Sequence, residues 1–387
     1  MATLSTKELE AILANSNLRK SLAREDPMWF CLIYLRHHLE FPLAPFHLEM
    51  FHLLREEEQT FIAIMAFRES GKSVIMNTAN ILWSILGRPQ KRFAVVVSKT
   101  QDQAKTHFSN LKQELLYNEL LRSDFGPFAD DEREWKKTSL ELLYHGAKIV
   151  SVSMEQSVRG MKYGVLRPDL IVCDDIEDVS AAEEENRRNE TLQRFASEIL
   201  PLGSYGMRII VLGNLICQES LLMRLKKDIQ SGSIEGVFRA YPIIDDERRI
   251  LWPEKYKSIE SIRKLSKRFT DVVWVREFLL KSLSANGHEL ISPMIVTNYS
   301  DQPIQRPSPV LPPTQRPLIP QMKEFKISVP YDSAPAFVFV DHGPEYQSYF
   351  GNVYLDEPVR SDTGKAAEMN ALAGDLLGKL ENEMLDL

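Results

Sequence analysis

The chain has 387 residues, 44% hydrophobic and 26% charged, a balance that excludes a wholly disordered, collagen-like or membrane-bundle protein. At roughly 150 residues per domain, that length allows two or three domains with a sizeable core. The 47 Lys and Arg set against 54 Asp and Glu leave a net charge of −7, which excludes a protein that coats nucleic acid through its overall charge; any DNA contact must be local.

MATLSTKELEAILANS at the start has no basic segment followed by an apolar block, so no secretory signal is visible. DPMWFCLIYLRHHLEF (26–41) and EMFHLLREEE (49–58) carry apolar residues near helical spacing, and residues 1–55 read as a helical lead-in. From residue 56 to 245 short apolar runs alternate with amphipathic helices. The runs are FIAIMA (61–66), FAVVVS (93–98), AKIVSVSM (147–154), DLIVCD (169–174) and RIIVLG (208–213). Between them lie helix candidates VIMNTANILWSIL (74–86), TQDQAKTHFSNLKQELL (100–116) and EEENRRNETLQRFASEIL (183–200). In the second of these Ala104, Phe108, Leu111 and Leu115 share one face behind a capping Thr or Asp. Buried strands alternating with helices mean an α/β fold around a mainly parallel sheet.

Residues 246–300 form a basic segment. Between Arg248 and Lys281 ten Lys or Arg face four Asp or Glu, a local +6, which suits either a phosphate-facing surface or a solvated amphipathic helix. Residues 301–320 hold seven prolines and should be an extended linker. The tail 321–387 has one strand-like run, AFVFVD (336–341), and an acidic terminal helix candidate. No apolar run approaches the ~20 residues a membrane span needs, and FIAIMAF is among the longest. Cys31, Cys173 and Cys217 are too few and scattered for a disulfide framework or a zinc site. The expected location is the cytoplasm, with no membrane partner. The eight histidines show no paired metal spacing with acids or cysteines and read as structural.

The sharpest motif is AFRESGKS (66–73). A phosphate-cradling loop needs a strand, a turn of inward backbone amides, a Lys for the β/γ-phosphates, a hydroxyl for Mg²⁺ and a helix N-terminus aimed at the anion. FIAIMA supplies the strand and VIMNTANILWSIL the helix. Arg68, Glu69, Ser70 and Gly71 make the turn, Lys72 the cation and Ser73 the hydroxyl. Ala66 stands where the usual GxxxxGK[ST] pattern begins with Gly. Such a site also needs a carboxylate for the metal and a group to orient water. RPDLIVCDDIED (167–178) brings Asp174 to the end of a strand, followed by Asp175 at the position of the catalytic carboxylate, with Glu177 a rival for polarising water.

These motifs, in this order, resemble the ATPase domain of the large terminase subunit, the DNA-packaging motor of tailed bacteriophages. The resemblance covers about residues 45–290. It includes the Walker A loop with a central Arg, FAVVVSKTQDQAKTHF, SVRGMKYGVLRPDLIVCDDIED, VLGNLICQESLLMRL, and LWPE within YPIIDDERRILWPEKYKSIESIRKL. It implies a P-loop NTPase fold of the ASCE/RecA-like type and a Mg²⁺-dependent ATPase. Arg68 and Lys72 would bind the phosphates of ATP, Ser73 and Asp174 the metal, and Asp175 would orient the water. Arg159, in SVRG, resembles an arginine finger reaching a neighbouring subunit's nucleotide. Asn214, after strand RIIVLG, resembles the motif that senses the γ-phosphate, where many members carry Thr. Phe46 and His47, in FPLAPFHLEMF, look like the region that packs on adenine, although an ordinary core Phe at the start of a helix fits as well.

The resemblance further implies a homo-oligomeric ring, double-stranded viral DNA, the portal protein of a procapsid and a small terminase subunit as partners. A full large terminase continues into a nuclease domain. Only 46 residues follow Asp341, too few for one, so Asp332 and Asp341 read as linker acids, with a truncated nuclease remnant over 321–387 as the alternative, and cutting is expected to be done elsewhere. Two rival readings are a P-loop helicase or translocase without a capsid, and a non-catalytic assembly module.

Overall fold

The computed structural model describes residues 11–129, 135–177 and 184–281, together with the backbone of 322–327 and 337–342. The proline-rich stretch 301–320, Asp332 and the terminal helix candidate lie outside the described residues, as do 282–300 of the basic segment. In the tail, Met322–Ile327 and Phe337–His342 pair as antiparallel strands, the second coinciding with the predicted run.

The lead-in is helical, as expected, but in shorter pieces. Helix α1, Ser16–Glu25, starts where the Asn15 side chain accepts from the amides of Asn17 and Leu18. Helix α2, Pro27–Tyr34, starts with Asp26 accepting from Met28 N–H and with Pro at the first helical position. It ends at Tyr34, where Leu35 leaves the helical region at ψ 17°, and a 3₁₀ turn, Arg36–His38, follows. The apolar periodicity through Leu39 therefore marked a buried side rather than a continuous helix. Helix α3, Pro45–Arg55, again opens on a proline.

A charged knot ties this lead-in to the body. The Asp124 carboxylate accepts from Arg19 Nε at 2.6 Å and Arg19 NH2 at 2.8 Å, from Ser16 Oγ at 2.6 Å and from Tyr34 OH at 2.7 Å. Burial acts to raise this carboxyl, but the bonds from Arg19, Ser16 and Tyr34 outweigh it and hold it below the usual range. A lowered folded value stabilises above the unfolded pKa of ~3.9 and fades as pH falls through the folded one. Asp124→Asn leaves the Arg19 guanidinium buried without its anion and is expected to cost about 3–5 kcal/mol. Urea unfolding at pH 7 should show this loss, and the gap to wild type should narrow below about pH 4; an unchanged midpoint would refute it.

Seven strands form one sheet. They are β1 Phe61–Ala66, β2 Phe93–Ser98, β3 Ser139–Leu142, β4 Ala147–Ser153, β5 Leu170–Asp174, β6 Arg208–Gly213 and β7 Val237–Tyr241. Their order is β3-β4-β2-β5-β6-β1-β7, and every pair is parallel except β3 with β4. The two edge strands, β3 and β7, have no clear sequence signal: SLEL is short, and VFRAY is partly exposed. A strand, β6, intervenes between β1, which leads into the phosphate-type loop, and β5, which ends in Asp174. This is the ASCE/RecA-like arrangement of an α/β P-loop fold.

Both faces of the sheet are covered, which explains why the strands read as continuous apolar runs. Because successive side chains alternate, Ile62, Ile64, Val96, Leu170, Val172 and Ile210 join one core with Phe30, Phe51, Trp83, Phe108 and Leu111. Ala63, Met65, Val95, Val97, Ile171, Cys173 and Val211 join the other with Phe195, Leu221, Leu222 and Leu225. The first face packs against α4, Asn80–Leu86, and α5, Gln101–Tyr117. Thr100 caps α5 in a capping box with Gln103, and the predicted stripe Ala104, Phe108, Leu111 and Leu115 is buried. The second face packs against the turn Phe195–Ile199 that ends α7, Glu185–Arg194, and against α8, Leu221–Gln230. A short helix, α6 Glu119–Phe125, follows α5 and carries Asp124. Two more, α9 Ile259–Ser266 and α10 Asp271–Glu277, close the described body. No helix among the described residues is long and apolar enough to cross a membrane.

Candidate functional site

The strand alternation that builds the core also aims the acidic residues. Leu170, Val172 and Asp174 point to the face carrying α4 and α5, so Asp174 meets residues from the segment after the loop. Its Oδ1 accepts from Ser73 Oγ at 3.2 Å, and its Oδ2 from Asn77 Nδ2 at 3.0 Å, with His107 Nδ1 at 3.7 Å. Asn77 lies four residues after Ser73, in a stretch, Val74–Ala79, wound as a π-helix before α4. This wider turn is a local departure of the kind found at functional sites.

The loop 67–73 is held from several sides. Phe67 N–H donates to Tyr241 O at 2.9 Å and Arg68 N–H to Glu277 O at 2.9 Å, which fastens its first residues to β7 and to the end of α10. Glu69 has φ 61° and Gly71 φ 83°, left-handed backbone that lets a loop turn its amides inward. A Cβ on Gly71 would lie 3.4 Å from His47 Nε2, so the loop and the histidine are in close contact.

That contact corrects the expectation for Phe46 and His47. Neither lines the cleft, and both are buried beneath the loop. Phe46 packs against Phe67, Tyr241 and Trp252. His47 Nδ1 accepts from Ala44 N–H at 2.9 Å, which leaves the proton on Nε2 to donate to Ser70 O at 2.7 Å. Burial pushes this imidazole down to about 3, partly offset by the Ser70 bond, so it stays neutral as a fixed brace. Helix α3 turns its aromatic face inward because that side of the sheet needs covering.

Lys72 is almost fully buried. Its ammonium donates to Asn214 Oδ1 at 2.8 Å and lies 4.0 Å from Asp175 Oδ2. Asn214 follows β6 and donates from Nδ2 to Glu277 O at 3.2 Å, so it bridges the loop lysine and the end of α10. Asp175 has φ 49° and keeps its N–H on Leu212 O at 3.0 Å. This left-handed turn carries its side chain, 51% exposed, away from the buried Asp174 and toward Lys72. Burial of the site raises the Asp175 carboxyl, Lys72 pulls it back and Asp174 adds to the rise. Glu177 also lines the cleft, but its Oε1 accepts from Leu221 N–H at 2.6 Å at the start of α8. Burial raises its carboxyl against the opposing effect of the Leu221 and Leu222 amides. It serves α8 as a cap, a place Ser220 leaves unfilled.

These groups bound a cleft of about 430 Å³ whose lining includes Arg68, Glu69, Lys72, Asp175, Glu177 and Asn214. Arg68 projects into it and pairs with Glu277 Oε2 at 2.8 Å. Arg159 is not among the lining residues. It sits exposed on the turn that follows β4, before Gly160 at φ 74°.

Sequence reasoning missed Asn77, His107 and Glu277. Asn77 had a signal, since i+4 from Ser73 puts it on the same helical side. Glu277 is 209 residues from Arg68 and had none. Five of the ten cations between Arg248 and Lys281 are held in ion pairs. Arg249 pairs with Asp245, Lys255 with Glu69, Arg263 with Glu260, Arg276 with Glu277 and Lys281 with Asp246. Lys255 also donates to Glu69 O at 2.9 Å, so part of this segment braces the loop.

No protein-family model and no curated protein matches the sequence. Among solved structures, the chain is similar to the HK97 bacteriophage large terminase at 15% identity and TM-score 0.42, over 62% of this chain and 50% of that one. It is similar to the large terminase of a thermophilic bacteriophage at 12% identity and TM-score 0.41, over 62% and 53%. A structure of that thermophilic phage's terminase in complex with ADP aligns at 12% identity and TM-score 0.40, over 62% and 53%. The chain thus spans about half the length of the terminases it matches.

Proposed function

We propose that this chain is the ATP-hydrolysing subunit of a motor that moves double-stranded viral DNA into a procapsid, as the large terminase does. The observation that carries the reading is the meeting of Lys72, Asp175 and Asn214, from three separated segments, in one cleft at the C-terminal edge of the sheet, with the adjoining Ser73 donating to the buried Asp174. Ligands bind at that edge in open α/β sheets.

The residues present fit a triphosphate and its metal. The two left-handed residues, Glu69 and Gly71, shape a loop able to present amides to phosphate. Lys72 is a buried cation beside a cleft, and Arg68 has a planar fork suited to phosphate oxygens. Ser73 and Asp174 are a hard oxygen pair of the kind Mg²⁺ takes, and Asn77 and His107 hold that carboxylate in place. The bound ion would supply positive charge against the phosphoryl oxygens. Asp175, turned away from Asp174 into the cleft, is placed to accept a proton from water and align it. Asn214 contacts both Lys72 and the backbone of Glu277, so a change at the phosphate is felt by the segment 271–281.

Arg159 belongs to this reading as a residue acting on a neighbouring subunit, since it stands exposed outside its own cleft. A closed homo-oligomeric ring follows, because a finger supplied in trans needs a next subunit. The portal protein of the procapsid and a small terminase subunit complete the proposed assembly, in the cytoplasm of the host.

The test is DNA protection. Purified chain, portal-bearing procapsids, double-stranded DNA and Mg-ATP are expected to render DNA resistant to added nuclease, and omission of ATP to abolish this. ATP turnover with DNA left sensitive would assign the chain to a translocase without a capsid. Absence of both turnover and Mg-ATP protection against thermal unfolding would assign it to a scaffold.

A further inference from the structure

We propose that His37, His38 and Glu114 form a binding site for a divalent transition-metal ion of the zinc type, which fastens the turn after α2 to α5. His37 Nε2 and His38 Nε2 each lie 2.9 Å from the same oxygen, Glu114 Oε1. The three ligand atoms all fall within 4.8 Å of one another. Two atoms that bind one ion at ~2.0–2.1 Å stand about 3 Å apart at ordinary coordination angles, so both histidine–carboxylate distances already suit a shared ion. What remains is to bring the two ring nitrogens somewhat closer. The His37 side chain is 56% exposed, its ring resting on that of His38, so solvent-side rotation can do this.

The carboxylate is prepared for the role. Its other oxygen, Oε2, accepts from Asn118 Nδ2 at 2.9 Å, and Asn118 also donates to Tyr34 O at 2.6 Å. Such outer contacts orient ligands at metal sites. The Glu114 side chain is nearly buried while His37 is open, so an ion here would have a buried anchor and a solvent-facing side able to carry water. Two imidazoles and one carboxylate select zinc and its neighbours over Mg²⁺, which prefers oxygen ligands alone. The ion would also relieve a crowded arrangement, in which two ring N–H groups are directed at a single oxygen. On binding, each ring would carry its proton on Nδ1 and offer the Nε2 lone pair to the metal.

None of the three residues lines the nucleotide-type cleft. Glu114 lies seven residues along α5 from His107, which faces Asp174; that is about 10 Å of helix. A sequence reading could not find the cluster, since adjacent histidines lack helical ligand spacing and Glu114 is 76 residues from His38.

The test uses full-length, chelator-treated protein and zinc alone. Titration calorimetry and metal analysis after dialysis are expected to give one more zinc per wild-type chain than per His37→Ala/His38→Ala chain. Each single variant should bind that zinc at least ~10-fold more weakly. Saturating zinc should raise the melting temperature of wild type but not of the double variant, and excess Mg²⁺ should not displace it. Ring ¹⁵N spectra should move to the Nδ1–H tautomer at both residues. His37→Ala alters an exposed side chain, which keeps the comparison on folded protein. Equal zinc content in wild type and the double variant, or unmoved ring signals at saturating zinc, would overturn the assignment.

Discussion

Lys72→Met is expected to lower ATP turnover by about 10³-fold, the upper range for losing one preorganised charge at a developing anion. The lysine is 7% exposed and is held by Asn214 and Asp175 rather than by a strong ion pair. Its charge is therefore directed into the cleft. Methionine keeps most of the aliphatic stem that packs beneath the loop, so the change isolates the ammonium from its packing. The melting temperature without nucleotide should stay near that of wild type. At a concentration of ATP 100 times the wild-type Kd, wild type should gain ~2.7 kcal/mol, and the variant much less. Steady-state turnover with DNA present is the measurement; wild-type turnover in a folded variant would remove the loop from the chemistry.

Asp175→Asn is expected to lower kcat by roughly 10²–10⁴-fold, the range for losing a positioned base, while Mg-ATP still binds. The residue stands at φ 49°, and Asn tolerates that left-handed backbone better than most residues do. The substitution thus removes the charge without rebuilding the turn. Glu177→Gln should behave differently. Its carboxylate already accepts from Leu221 N–H at the first turn of α8, so it should lose about 1 kcal/mol of stability as a weakened cap and keep turnover within a few-fold. A reversed pattern, with Glu177→Gln inactive and Asp175→Asn active, would move water activation to Glu177. Single-turnover assays at saturating Mg-ATP, paired with thermal melts, separate the two.

The legible part of the fold was whatever chemistry repeats along the chain. Strands β1, β2, β4, β5 and β6 matched their apolar runs because both faces of the sheet are covered and every residue along them is buried except Lys148 and Val150 of β4, which are partly so. The α5 stripe matched because four buried residues recur at helical spacing behind a capping Thr. Strands β3 and β7 escaped because an edge strand needs only one partner and can carry polar residues such as Arg239. The loop and the two acids at the end of β5 were equally visible, since AFRESGKS and CDD place them next to elements whose directions are already known.

The roles of Phe46 and His47 show the limit. An aromatic residue and a histidine at the start of a helix can line a cleft or support a loop from below, and both arrangements read the same along the chain. Packing against Phe67, Tyr241 and Trp252 decided it. The pairing of Arg68 with Glu277 and the convergence of His37, His38 and Glu114 are of the same kind. The sequence alone determined the strand-and-helix pattern, the phosphate-type loop and the acids that answer it, because hydrophobic period, glycine and charge act locally. Only the tertiary structure decided which distant side chains share a space, because such contacts depend on strand order and on the curvature of packed layers, and neither is written in the spacing of residues along the chain.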